Sequence, residues 1–131
     1  MMNPKYLGLD LGGTNIKFVV LEKDGDTWKI ILRDQVSSEA IHGPEHVTTR
    51  LAELARKYSN ELGVSGVGLA VPGIFDASSG TISLFPNLPG NWRGYQIRQP
   101  IEDASSVKVA LINDARAFSL AERSEEHTSE L

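Results

Sequence analysis

The sequence contains no cysteine. That excludes a disulfide framework and any Cys-ligated zinc within these 131 residues, and it agrees with a reducing compartment. No apolar run approaches the roughly 18–20 residues that a bilayer-spanning helix needs, so no membrane partner is expected. The opening Met1-Met2-Asn3-Pro4-Lys5 lacks the long apolar core of an export signal. Charge of one sign is scarce as well. With 13 basic and 17 acidic residues the net charge is −4, and no basic cluster offers itself to a nucleic acid. These absences together read as a cytoplasmic protein. There is no internal repeat and no low-complexity linker. What is present is 40% hydrophobic content, enough to build the core of one domain of ordinary length.

Residues 5–10 alternate, with Leu7, Leu9 and Leu11 on one side and Tyr6, Gly8 and Asp10 on the other. Gly12-Gly13-Thr14-Asn15 reads as a tight turn into a second strand over residues 16–21. Asp24-Gly25-Asp26 signals another hairpin, with a third strand over residues 27–36. The period then changes. Val47, Leu51, Leu54, Ala55, Tyr58 and Leu62 fall at helical spacing, with Pro44 at the start and Gly63 as a stop. Residues 64–71 predict a buried strand whose Gly66, Gly68 and Ala70 leave room for close approach, and Pro72-Gly73 ends it. Residues 74–100 read as loop-rich, with a small hairpin around Ser78-Ser79-Gly80. A last strand over 107–112 leads through Asn113-Asp114 into a helix over 115–122. Three antiparallel strands followed by strands alternating with helices predict an α/β fold with a mixed sheet.

Three places can carry chemistry. In Asp10-Leu11-Gly12-Gly13-Thr14-Asn15, two glycines let backbone N–H groups reach an anion without obstruction, and Thr14 and Asn15 add side-chain donors. Asp10 is placed to orient a hydrated Mg²⁺ beside phosphates. A plain Gly-Gly hairpin with a turn-stabilising Asp fits the same residues. The glycines do not precede a helix, so this is neither a Walker loop nor a dinucleotide fingerprint. Asn113-Asp114 ends a buried strand, where ligands collect in open α/β sheets. A carboxylate there serves either as a general base or as a helix N-cap. Finally, Pro72-Gly73 and Phe85-Pro86-Asn87-Leu88 offer backbone groups and an amide to a polyhydroxylated ligand, or form an ordinary surface loop. Trp92 suits a sugar face or the anchoring of its own loop. His42 and His46 are four apart without a zinc pattern around them and read as solvent-exposed.

Four blocks in order carry a resemblance: residues 7–17 (LGLDLGGTNIK), 66–73 (GVGLAVPG), 85–88 (FPNL) and 111–115 (LINDA). Together they resemble the ROK family of sugar kinases and repressors, in its glucokinase-like branch, from about Tyr6 to Glu122. The resemblance implies an actin-like ATPase, ribonuclease-H-like lobe, one of two flanking a cleft. It implies that Asp10, Gly12, Gly13, Thr14 and Asn15 meet the phosphates of ATP and Mg²⁺, with Asp10 toward the metal through water. Gly73, Asn87, Asn113 and Asp114 would line the hexose site, and Asp114 would deprotonate the sugar 6-hydroxyl as it attacks the γ-phosphate. Polyphosphate is an alternative donor. A repressor of this family carries roughly 60–80 residues of helix-turn-helix before the phosphate hairpin. Only about five residues precede it here, which favours the kinase.

The last nine residues break the pattern. Arg123-Ser-Glu-Glu-His-Thr-Ser-Glu-Leu131 resembles the in-frame translation of a common short-read sequencing adapter. The expectation is therefore an N-terminal lobe over 1–122 and a non-native tail over 123–131. The tail carries one Arg and three Glu, so half of the net charge of −4 lies in it. The adenosine pocket, further sugar ligands and any zinc site would belong to a C-terminal half absent from this sequence. The parent would be a homodimer, and the isolated fragment inactive.

Overall fold

The computed structural model describes residues 3–113. A five-stranded sheet is built from β1 (Lys5–Leu11), β2 (Asn15–Asp24), β3 (Thr27–Ser37), β4 (Gly66–Ala70) and, last among the described residues, β7 (Lys108–Ile112). Its order is β3-β2-β1-β4-β7. The first three strands form the expected antiparallel meander, β4 joins β1 in parallel, and β7 joins β4 in parallel. The meander follows from its short turns, whereas parallel neighbours require crossovers.

The alternation along β1 fixes the register. Leu7 pairs with Val20 and Val67, and Leu9 with Phe18 and Leu69. Val67 and Leu69 in turn meet Val109 and Leu111. One sheet face is thus a continuous row of buried aliphatic and aromatic side chains. It packs with α1 (Pro44–Leu62), which contributes Val47, Leu51, Ala55 and Tyr58 to the same core. Fully burying each such side chain contributes about 1.5–3 kcal/mol relative to leaving it exposed. Pro44 occupies the first turn of α1, where no N–H partner is needed, and Gly63 closes it at φ 64° with its N–H on Ser59 O at 3.1 Å.

The excursion after β4 holds more order than its loop-like composition suggests. β5 (Ile74–Asp76) and β6 (Thr81–Leu84) form the small hairpin expected near Gly80. A second helix, α2 (Arg98–Ser105), follows where residues 74–100 read as loop-rich and nothing predicted a helix. It is eight residues long, with Ile101 and Ser105 buried, so no helical period is legible. Its first N–H groups are satisfied by an unconventional acceptor. Gln96 Oε1 takes Arg98 N–H at 3.1 Å and Gln99 N–H at 3.2 Å. Ser59 Oγ on α1 donates to Ser105 O at 2.8 Å, joining the two helices, and Glu102 accepts Val109 N–H at 2.9 Å. The link from β4 to β7 is therefore a crossover containing a hairpin and a helix.

Candidate phosphate and sugar site

The parallel register places the proposed residues at one end of the sheet. Asp10 pairs with Ala70, and Ala70 with Ile112, so β1, β4 and β7 end together. Val71 N–H donates to Ile112 O at 3.0 Å, which carries the alignment one residue further. The Gly12 turn, the Pro72-Gly73 corner and Asn113 all leave from this edge. In open sheets, ligands bind beyond the carboxyl ends of such strands.

Gly12 N–H donates to Asn15 O at 2.9 Å and closes the turn. Neither Gly12 nor Gly13 adopts a positive φ. The glycines therefore serve by lacking side chains rather than by supplying a left-handed turn. A Cβ on Gly12 would lie 3.0 Å from Asn15 O, tighter than ordinary contact. A Cβ on Gly13 would lie 3.5 Å from Asn87 O, within van der Waals range. The Gly12-Gly13 turn and the Phe85-Pro86-Asn87-Leu88 loop thus adjoin, although 74 positions separate Gly13 and Asn87 in sequence.

That loop is held from below. Phe85 and Leu88 are buried, while Pro86 and Asn87 stay exposed at the surface. Trp92 is 3% exposed, with its ring 4.8 Å from Phe85 and 5.5 Å from Tyr95. Its Nε1–H donates to Pro89 O at 3.0 Å. Trp92 is therefore the anchor of its own loop and not a platform for a sugar. Gly73 is shaped by the same packing. An added Cβ would overlap Leu84 O and lie 2.7 Å from Phe85 Cδ1. Asn113 is exposed at the end of β7, and Asp114 and the helix expected over 115–122 lie outside the described residues.

Sequence reasoning missed Ser38. It is fully buried behind the turn, donating through Oγ to Gly13 O at 3.2 Å and through N–H to Thr14 O at 2.9 Å. A Ser-Ser pair after a strand carries no signal of such a role. Next to it, Glu39 sits at φ 52° and meets His46 Nε2 at 2.7 Å and Arg50 at 3.4 Å. The His46 hydrogen bond, and then the Arg50 charge, hold the Glu39 carboxyl below the usual range. His42 and His46 are exposed as expected, although His46 is partnered. Among the described residues no three His, Cys, Asp or Glu side chains gather as a metal cage, and no helix is long and apolar enough to cross a membrane.

The ROK family model matches residues 6–130. The chain belongs to the ROK family. Its similarity to a Thermotoga maritima glucokinase is 33% identity over 91% of this chain and 36% of that protein. It is 33% identical to an N-acetyl-D-glucosamine kinase of Vibrio parahaemolyticus (89% of this chain, 37% of that one) and 27% identical to a Caldicellulosiruptor bescii xylose repressor (89% and 29%). Among solved structures, the ROK hexokinase of Thermus thermophilus superimposes at TM-score 0.71 with 39% identity, over 90% of this chain and 38% of that one. The inorganic polyphosphate/ATP-glucomannokinase of Arthrobacter sp. strain KM gives 0.72 at 28% identity, over 94% and 49%. The lobe accordingly has the actin-like ATPase fold of these ROK kinases. The chain spans about a third of the length of the curated relatives it matches, 36% of the Thermotoga protein.

Proposed function

We propose that this chain is the N-terminal part of an ATP-dependent hexose kinase, with glucose the first substrate to test. The observation that supports it most is the proximity of the Gly12-Gly13 turn to the Asn87 loop, where a Cβ added at Gly13 would come within 3.5 Å of Asn87 O, at the shared carboxyl edge of β1, β4 and β7. Phosphoryl transfer is catalysed mainly by positioning and electrostatics, so donor and acceptor sites must adjoin.

The residues present fit the groups this reaction needs. The turn offers main-chain surface free of side chains at Gly12 and Gly13, flanked by Thr14 and Asn15, for the nucleotide phosphates. Asp10, next to last in β1, would meet Mg²⁺ through water, which suits an ion that keeps several waters and takes few carboxylates. When bound, Mg²⁺ would offset the phosphate charge. Gly73, Asn87 and Asn113 would orient the sugar, and Asp114 would accept the proton of its 6-hydroxyl. The test is Asp114→Asn in the complete enzyme. Turnover should fall by at least about 100-fold, the low end for general-base catalysis, and undiminished turnover rules Asp114 out.

The 131-residue chain alone should phosphorylate no glucose, because one lobe cannot enclose two substrates or exclude water. Activity above a contamination control overturns that statement. Residues 123–131 are proposed to be an adapter-derived tail. The family match runs to residue 130, so this idea rests on the string itself, and a different codon string in the nucleotide record refutes it. A second reading, the sugar-sensing domain of a repressor, draws on the similarity to the xylose repressor. An in-frame DNA-binding segment upstream, with sugar binding but no phosphorylation, would favour it.

A further inference from the structure

We propose that Ser38 is a positioning residue for the phosphate turn, held in register by Arg50 of α1. This rests on the kinase reading and deepens it. Ser38 turns two successive carbonyls inward, Gly13 O through its hydroxyl and Thr14 O through its N–H. In a trans peptide the C=O of one residue and the N–H of the next point in opposite directions. The described backbone has no cis peptide. Binding the carbonyls of Gly13 and Thr14 therefore turns the N–H groups of Thr14 and Asn15 away from Ser38. Two consecutive N–H groups presented on one side of a turn are what an anion requires.

Ser38 is itself fixed from both flanks. Arg50 Nε donates to Ser37 O at 2.8 Å, and Arg50 Nη1 lies 3.4 Å from Glu39 Oε1. One guanidinium thus grips the residues on either side of Ser38. Glu39 adds the His46 contact at 2.7 Å, and Glu39 N–H donates to Ser37 Oγ at 3.2 Å. Glu39 holds a left-handed conformation that non-glycine residues adopt only where the surroundings enforce it. The first two turns of α1 therefore hold the backing of the turn, and none of these side chains needs to touch the nucleotide.

The test uses the full-length product of the gene encoding this chain, with Ser38→Ala and Arg50→Met. Each should raise the KM for ATP roughly three- to tenfold, the loss of about one hydrogen bond, while the KM for sugar stays within about twofold. Amide exchange in a peptide covering the Gly12-Gly13 turn should quicken in both. If Ser38→Ala does not fold, Arg50→Met, on a partly exposed helix face, carries the test alone. A folded variant that keeps its KM for ATP within twofold refutes the proposal, as does an equal rise in both KM values, which would mark general loosening. Wild-type product that phosphorylates no sugar with ATP is a different failure, because it removes the kinase reading itself.

Discussion

Replacing Gly73 with Ala should damage stability and disturb the proposed sugar side of the site. The new Cβ would overlap the Leu84 carbonyl oxygen, which is backbone and has no rotamer to escape into. Real Cβ contacts essentially never fall below 3.0 Å, so the end of β6 must move by on the order of an ångström. It is not free to move. Leu84 is paired with Ile74, and Phe85 is buried with its ring 4.8 Å from Trp92. Overpacking of this kind costs about 1–3 kcal/mol, and a backbone clash places the change toward the upper end. Taking about 2–3 kcal/mol, the unfolding equilibrium shifts by roughly 30- to 150-fold.

Gly66→Ala is the matched control, since its Cβ would lie 3.6 Å from Tyr6 Cδ1 and 3.7 Å from Lys108 O, both ordinary contacts. It should stay within about 0.5 kcal/mol of the parent or gain slightly from a stiffer unfolded chain. Urea unfolding of both variants in the full-length product reads the difference. Adding Phe85→Leu to Gly73→Ala should not rescue, because the carbonyl clash remains. If Gly73→Ala unfolds within 0.5 kcal/mol of Gly66→Ala, the close approach of β6 to the strand corner is wrong. The Pro72-Gly73 corner then does not pack against the loop that carries Asn87.

Trp92→Ala should cost about 3–5 kcal/mol by emptying the space between Phe85 and Tyr95, whereas Trp92→Phe should cost nearer 1 kcal/mol for the bond to Pro89 O. Thermal melts separate the two, and equal losses would place the stability in the hydrogen bond. Asp76 has its carboxyl held below the usual 3.8, first by the Ser78 hydroxyl and then by the Ser79 and Ser78 N–H groups. A carboxyl lowered in the fold contributes stability that is complete above the unfolded value and lost as pH falls through the folded one. Acidification below 3.8 should therefore loosen the β5–β6 turn, and Asp76→Asn should remove that part of the pH dependence. Amide shifts of Ser78 and Ser79 that ignore this range would contradict it. The 131-residue chain, which spans 36% of the length of the Thermotoga maritima relative, should aggregate or melt broadly, and a sharp reversible melt from a monodisperse monomer would count against this.

Sequence pattern revealed the elements whose periodicity is long enough to read. The alternation of Leu7, Leu9 and Leu11 predicts β1 and its buried face, and the spacing from Val47 to Leu62 predicts α1 between Pro44 and Gly63. α2 escaped for a physical reason. Eight residues hold barely two turns, Pro100 lies in the first of them, and the capping acceptor is Gln96, a residue type with no strong preference for helix starts. The Phe85–Leu88 loop was recognisable as irregular, yet its inward Phe85 and Leu88 and outward Asn87 depend on Trp92 packing beneath it. Such an arrangement has no period to display.

The site was legible in a different sense. Asp10 to Asn15 alone reads as readily as an ordinary hairpin turn, and Pro86-Asn87 alone as a surface loop. Neither acquires chemical meaning from its own residues. What joins them is the parallel pairing of β1 with β4 and β4 with β7, which stops three strands at one edge, and the burial of Phe85, which pulls its loop back across that edge. Ser38 shows the same principle from behind. It lies 25 residues from Gly13 and reaches it only because β3 returns alongside β2, with Asn15 opposite Ser37. The Gly13 and Thr14 carbonyls are held by Ser38, which comes from the far end of the meander. Residue types at a local spacing therefore identify where such a turn begins, but the partners that orient it are set by strand register.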